Sequence, residues 1–227
     1  MICNGEYPES KHDFINCISL DFKYDIKQID KIRYITLLQS RYRGILCRKY
    51  HNDIPLEIVK SMIDNYITYT EKSAEISKRC NLKYKKIRNL NFPMEISENI
   101  VRFVINKKYR YIKCLWDIKS GDLAILHFKI EVKAFSSIGP SSFGPDESWH
   151  RLYFVDCRRY KEYVFTIYEI RLSSTSIEWQ NIMVNKTETY HDQCLKKRRP
   201  RICFDELLRQ IPNKYSIIFD GHIDQLQ

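Results

Sequence analysis

The sequence contains little glycine and no long apolar run. Only six of its 227 residues are glycine, and because glycine makes tight turns most readily, we expect few and short loops. No segment approaches the roughly 20 consecutive apolar residues that cross a bilayer as a helix. The first residues, M-I-C-N-G-E-Y-P, lack the basic start and apolar segment of a secretory signal. We therefore expect a cytoplasmic protein, in a bacterium or a virus-infected cell.

The cysteines are spread out rather than paired. The eight of them stand at positions 3, 17, 47, 80, 114, 157, 194 and 203, and none forms a C-x-x-C pair. This spacing argues against a zinc site built from neighbouring cysteines. Without a secretory signal, reduced and mostly packed thiols are the better expectation.

Acidic residues are also in deficit. There are 38 Lys and Arg against 28 Asp and Glu, which leaves a net charge of +10. Such a balance favours a polyanionic partner, with nucleic acid first and a membrane surface second. With 44% hydrophobic and 29% charged residues, the composition is that of a soluble globular protein. We expect one domain over residues 1–227.

Hydrophobic periodicity predicts helices first and strands later. The first 108 residues are expected to be mainly helical, and residues 109–227 to hold the sheet and the segments that contact a partner. The predicted helices span 29–50, 55–80, 94–107 and 203–211. The second presents Ile58, Met62, Ile63, Tyr66 and Ile67 on one apolar side, and Ser97 is a candidate cap of the third. The predicted strands lie within 109–116 and 121–133 and at 152–156, 163–170 and 215–219.

Residues 121–133, G-D-L-A-I-L-H-F-K-I-E-V-K, predict a β-hairpin with Leu126 and His127 in its turn. Asp122 then lies opposite Glu131, and Lys133 shares the face of Glu131 because it is two residues further along the strand. Two facing carboxylates beside an ammonium group can bind a hard divalent cation and position a water. The predicted polar face carries Asp122, Lys129, Glu131 and Lys133, and the predicted core face carries Leu123, Ile125, Phe128, Ile130 and Val132.

An ordinary hairpin with one solvent-exposed face shows the same alternation. A purely structural role for these charged side chains therefore stays open. Acid-x-lysine triplets are common in this chain, which has five of them: Glu9/Lys11, Asp21/Lys23, Asp25/Lys27, Asp117/Lys119 and Glu131/Lys133. Only the last one lies in an apolar strand pattern with an acid placed opposite it.

Three stretches are candidates for nucleic-acid contact. Residues 134–149, here called the serine loop, offer hydroxyls and backbone amides for phosphates or base edges. Residues 196–201, K-K-R-R-P-R, here called the basic segment, suit a phosphate backbone. A third stretch, the basic cluster at 83–88, is as typical of a solvent-exposed helix end as of a nucleic-acid contact. The predicted DNA-contacting residues are Ser136, Ser137, Ser141, Ser142, Lys186, Lys196, Lys197, Arg198, Arg199 and Arg201.

Three segments of the chain resemble type II restriction endonucleases of the PD-(D/E)XK nuclease superfamily. They are W-D-I-K-S-G-D-L, then I-E-V-K-A-F-S-S-I-G-P-S-S-F-G-P-D-E-S-W-H-R-L-Y-F-V-D, then V-N-K-T-E-T-Y-H-D-Q-C-L-K-K-R-R-P-R-I-C-F. The likeness covers about residues 114–204. It implies an α/β (α+β) fold, with a central mixed β-sheet flanked by helices and a helical N-terminal part.

The resemblance also implies roles for individual residues. Asp122 matches the first acid of the motif, Glu131 the second and Lys133 the lysine. The two carboxylates and the carbonyl of Val132 are then the expected ligands of Mg²⁺. The proline that usually precedes the first acid is Gly121 here, so Asp117 stays open as an alternative first acid.

The function that the resemblance implies is Mg²⁺-dependent, sequence-specific cleavage of double-stranded DNA. Enzymes of this type usually act as homodimers, and a cognate DNA methyltransferase is expected as a functional partner. Two alternatives stay open: a repair or junction-resolving nuclease of the same superfamily, and a non-catalytic basic DNA-binding protein.

Overall fold

The structure, a computed structural model, describes residues 54–79, 91–109, 113–116 and 122–227. These residues all belong to one compact unit. The predicted helix over 29–50 and the basic cluster at 83–88 lie outside the described residues. A single domain over residues 1–227 stays a prediction.

Among the described residues two long helices come first, over two of the ranges predicted to be helical. Helix α1 spans Leu56–Arg79 and follows Pro55, whose fixed φ suits a first helical turn. Its buried side includes Leu56, Val59, Ile63 and Tyr66 at helical spacing. Ile58, which was expected on that side, is 52% exposed, because the apolar stripe runs through Val59 instead.

Helix α2 spans Met94–Lys108 and buries Ile96 and Ile100. Its N-cap is Pro93, so the prediction that Ser97 caps the helix was wrong. The Ser97 hydroxyl instead donates to the carbonyl oxygen of Met94 at 2.9 Å, inside the first turn. Lys107 and Lys108 occupy the last turn, where cations complement the helix dipole.

A six-stranded sheet forms the centre of the fold, in the order β1-β2-β3-β5-β6-β8. The pair β3 and β5 is parallel and the other pairs are antiparallel, so the sheet is mixed as predicted. The strands are β1 Cys114–Trp116, β2 Leu123–Ile125, β3 Phe128–Phe135, β5 Arg151–Asp156, β6 Val164–Ile170 and β8 Tyr215–His222. Strand β8 extends beyond the predicted range of 215–219.

Smaller elements cover the end of the chain. Helices α3 Ile177–Gln180 and α4 Tyr190–Leu195 have side-chain caps from Ser176 and Thr189, and α5 spans Phe204–Gln210 within the predicted range. Strands β4 Ser141–Ser142 and β7 Arg201–Ile202 form a separate two-stranded sheet. Two 3₁₀ helices, Tyr160–Glu162 and Ile223–Leu226, complete the described elements.

Helices and apolar side chains cover both faces of the central sheet. One core contains residues of α1 and α2 together with Ile130 and Val132 of β3. The other contains Phe135 of β3 and residues of α3, α4 and α5. Since side chains alternate along a strand, Glu131 and Lys133 lie on the same face of β3 as Phe135. In the described ranges, no helix combines the length and apolar character of a bilayer span.

Candidate active site

The hairpin has the predicted register. Ala124 pairs with Lys129 and Ile125 with Phe128, which leaves Leu126 and His127 in the turn. Leu126 adopts a positive φ of 55°, so the tight turn forms without a glycine. The core face is confirmed for Leu123, Ile130 and Val132, whereas Phe128 is exposed beside the rings of His127 and His150.

Asp122 and Glu131 come together across the hairpin. The backbone N–H of Val132 donates to Oδ2 of Asp122 at 2.7 Å, which fixes the aspartate beside β3. Glu131 is only 7% exposed. Burial, followed by the nearby charge of Asp122, raises the pKa of Glu131 to about 7. The two carboxylates therefore repel each other in a poorly solvated place.

Lys133 is the cation of this site. Its Nζ forms an ion pair with Glu131 Oε1 and lies 3.2 Å from Glu147 Oε2. The ring of Phe143 lies beneath it, with its centroid 5.1 Å away. Burial opposes the charged form of Lys133, but Glu131, then Glu147 and Asp122, outweigh burial and raise its pKa. The lysine is therefore held as an ammonium group.

The donor set fits a hard divalent cation. Two mutually repelling carboxylates lose that repulsion when a cation lies between them, and oxygen donors are what Mg²⁺ prefers. The described residues contain no cluster of three or more His, Cys, Asp or Glu side chains arranged for a metal. A cation here would thus rest on Asp122, Glu131 and backbone oxygen, with water completing its coordination. Asp117, the alternative first acid, lies outside the described residues.

The serine loop connects the site to the basic segment. Ser141 and Ser142 form β4, which pairs with Ile202 and Arg201 of β7. The backbone N–H of Phe143 donates to the carbonyl of Pro200 at 2.9 Å. Of the other predicted contact residues in the loop, Ser136 is half-buried and Ser137 is exposed. The structure therefore brings two sequence-distant candidate stretches side by side.

The cations of the basic segment are exposed and mostly paired with acids. Lys196 and Arg198 both contact Oε1 of Glu188, the former at 2.7 Å. Hydrogen bonds from Lys196, then Asn185 and Arg198, lower the pKa of Glu188 to about 2. Lys197 lies 2.7 Å from Asp146, and Arg199 lies 3.9 Å from Glu147. Lys186 and Arg201 are exposed too.

Comparison with protein families identifies the chain at this point. The family model of the Bsp6I restriction endonuclease matches residues 57–210, more than half of the chain. This chain belongs to the Bsp6I restriction endonuclease family. Neither the curated proteins nor the solved structures gave a significant match. The matched range contains the whole hairpin, the serine loop and the basic segment.

Membership of this family identifies the chain as a nuclease that acts on DNA. It confirms the resemblance to restriction endonucleases and agrees with the mixed sheet between helices. Assignment to the PD-(D/E)XK superfamily stays a prediction, as do the roles of the individual site residues.

The sequence patterns did not indicate the acidic residues that form ion pairs with Lys133 and with the lysines and arginines of the basic segment. Glu147, Asp146 and Glu188 lie between 8 and 51 positions from the lysines and arginines that they contact by hydrogen bonds. The only local signal was the adjacent acid pair Asp146-Glu147 at the end of the serine loop. The two histidines near these stretches are exposed and hydrogen-bonded. His150 Nδ1 accepts from the backbone N–H of Lys129, and His191 Nδ1 forms a hydrogen bond with Oε1 of Gln180.

Proposed function

We propose that this chain is a type II restriction endonuclease that cuts double-stranded DNA at a specific sequence with the help of Mg²⁺. The observation that supports this proposal is the facing pair Asp122 and Glu131 with Lys133 two residues further along β3. In this proposal all three are catalytic, and Asp122, Glu131 and the carbonyl of Val132 hold the metal.

Cleavage proceeds by attack of water on phosphorus, in line with the departing 3′ oxygen. When bound, Mg²⁺ neutralises charge that develops on the phosphate and lowers the pKa of the attacking water. Glu131 and Asp122 supply oxygen donors on the hairpin. Lys133 supplies a positive point charge next to Glu131, where it orients the water and stabilises negative charge.

The DNA backbone contacts the basic segment and the serine loop in this proposal. Lys186, Lys196, Lys197, Arg198, Arg199 and Arg201 provide the positive charge that displaces counterions from DNA. Ser136, Ser137, Ser141 and Ser142 provide hydroxyls and amides that fix the register on the duplex. The pairing of β4 with β7 supports a single DNA-contacting surface, because it joins both stretches.

A homodimer and a cognate methyltransferase belong to the same proposal. Closed two-fold symmetry is the commonest oligomeric arrangement, and a two-fold protein suits a palindromic site. A DNA methyltransferase that protects the same sequence would be encoded by a neighbouring gene.

Incubation of the purified chain with unmethylated plasmid and Mg²⁺ tests the proposal. We expect discrete fragments, no cleavage when EDTA removes the metal, and no cleavage by Glu131→Ala. Glu162→Ala, which removes an exposed acid far from the hairpin in sequence, is the control and should cut normally.

The other outcomes identify the alternatives. Nicking that depends on DNA structure rather than sequence would favour a repair or junction-resolving nuclease. DNA binding without cleavage, unchanged in Glu131→Ala, would favour a non-catalytic binding protein and overturn the proposal.

A further inference from the structure

Lys133 needs more than one anchor if it is to act at a defined place. A lysine ends in a compact ammonium group on a flexible four-carbon stem with rotatable donors. Glu131 provides one acceptor, but the proposed function also assigns that carboxylate to the metal. Glu147 provides a second acceptor, 3.2 Å from Lys133 Nζ, and Phe143 lies against the ammonium group as well.

Three features hold Glu147 in position: its ion pairs with two cations, a backbone hydrogen bond and the space left by Gly144. Its Oε1 lies 3.9 Å from a guanidinium nitrogen of Arg199, while its Oε2 contacts Lys133. Its backbone N–H donates to the carbonyl of Gly144 at 3.3 Å. Gly144 leaves the space that the side chain fills, because a Cβ there would lie 2.9 Å from Oε1 and 3.1 Å from Cδ of Glu147.

The same carboxylate thus connects the catalytic hairpin with the basic segment. One oxygen faces Lys133 of β3, and the other faces Arg199, whose proposed partner is a DNA phosphate. A fixed distance between Lys133 and Arg199 is useful, since a misplacement of about 1 Å in a reacting group can cost about 10²-fold in rate.

We propose that Glu147 is a positioning residue that holds Lys133 for DNA cleavage, in a space that Gly144 keeps open. This inference rests on the proposed function. Glu147 acts through Lys133 and is not itself assigned to the metal or to the DNA. The serine loop therefore carries a residue of the reaction as well as candidate DNA contacts.

Single-turnover cleavage at saturating DNA tests this role. Glu147→Gln keeps the size of the side chain and removes its charge, so we expect cleavage to slow by about 10- to 100-fold, the size of effect known for residues that orient metal ligands. DNA affinity, measured without Mg²⁺, should stay the same or rise, because Arg199 loses a competing partner. A merely structural role would lower the melting temperature without this separation of rate from affinity.

Gly144→Ala provides the second variant. The added methyl group displaces the end of a flexible side chain, so the protein should fold normally while the carboxylate moves away from Lys133. Gly144→Ala alone should cleave more slowly than the wild-type protein. Added to Glu147→Ala, it should cause no further slowing. Gly221→Ala is the matched control outside the stretches assigned to DNA, since its Cβ would likewise displace only the end of a flexible side chain, that of Gln225.

The two proposals fail in different ways. Wild-type cleavage rates in Glu147→Gln, or an undiminished effect of Gly144→Ala in the Glu147→Ala background, would overturn the positioning role and leave the proposed function intact. If the wild-type protein does not cleave DNA at all, both the proposed function and this inference are wrong. If Glu147→Gln unfolds, the Gly144→Ala comparison alone decides.

Discussion

At the scale of single residues, Glu131 and Lys133 form a pair that folding alone does not require. Both side chains are mostly withdrawn from water, and burial penalises the charged form of each. The pKa of Glu131 still rises to about 7, so the lysine only partly compensates for burial and for Asp122. Strongly perturbed groups of this kind are typical of functional sites.

Lys133→Ala is expected to abolish DNA cleavage while leaving DNA affinity nearly unchanged. The lysine lies within the hairpin site and its charge is balanced by Glu131 and Glu147, so little of it attracts the DNA backbone. Gel-shift titration without metal and plasmid cleavage with Mg²⁺ separate the two properties.

Lys129→Ala is the control for that experiment, because Lys129 lies four positions earlier on the same face of β3. It should cut at the wild-type rate when DNA is saturating. Normal cleavage by Lys133→Ala would contradict the assignment of the catalytic lysine.

At the scale of elements, most cations of the basic segment already have acidic partners. Glu188, Asp146 and Glu147 form ion pairs with them, so in the proposed DNA complex a phosphate group would replace a carboxylate. Exposed ion pairs contribute only about 0–1 kcal/mol each, so exchange of a carboxylate for a phosphate costs little. In the proposed complex, these acids would orient the cations before DNA binds.

Replacing Arg198 and Arg199 together by glutamine should weaken DNA binding and flatten its salt dependence. Each phosphate contact contributes about 0.9 to the slope of log affinity against log salt, so two lost contacts should lower the slope by about 2. Affinity measured at several NaCl concentrations gives this slope directly.

Arg159→Gln is the matched control for the basic segment. The side chain of Arg159 is 64% exposed, as is that of Arg199, and each has an acidic neighbour. Because Arg159 lies outside the candidate DNA-contacting stretches, its replacement should leave the slope unchanged. A change of slope in Arg159→Gln half as large as in the double variant, which loses two charges instead of one, would mean that net charge rather than the basic segment determines binding.

At the scale of the whole molecule, the sheet presents its active-site face to an aromatic core. Phe154 of β5 pairs in register with Lys133 and is fully buried among Phe135, Phe143 and Phe204. The hairpin therefore depends on a core that includes residues far along the chain. Loss of this packing affects the position of the site as well as stability.

Phe154→Ala is expected to lower the free energy of unfolding by about 3–5 kcal/mol, since it leaves a cavity in a close-packed core. Urea denaturation followed by tryptophan fluorescence measures the change. Ile177→Ala, at an exposed position on the same side of the fold, should change stability by less than about 0.5 kcal/mol. A similarly small change in Phe154→Ala would show that this core does not stabilise the described unit.

Several parts of the fold were predictable because they depend on neighbouring residues. Pro55 and the stripe through Ile63 and Tyr66 indicated α1, although the stripe was placed one position away at Ile58. Strands β5 and β6 were visible as β-branched and aromatic runs. The short strands β4 and β7 were not visible, since two residues carry no period and their pairing joins positions 59 and 61 apart.

By itself, the sequence determined that Asp122, Glu131 and Lys133 share one end of a hairpin. Alternation along two adjacent strands is a local property, and it specifies which side chains share a face. Only the tertiary structure decided that Glu147 and Phe143 contact Lys133 and that carboxylates hold the basic segment. Those contacts depend on the path of the serine loop and on packing between distant elements, which no local pattern encodes.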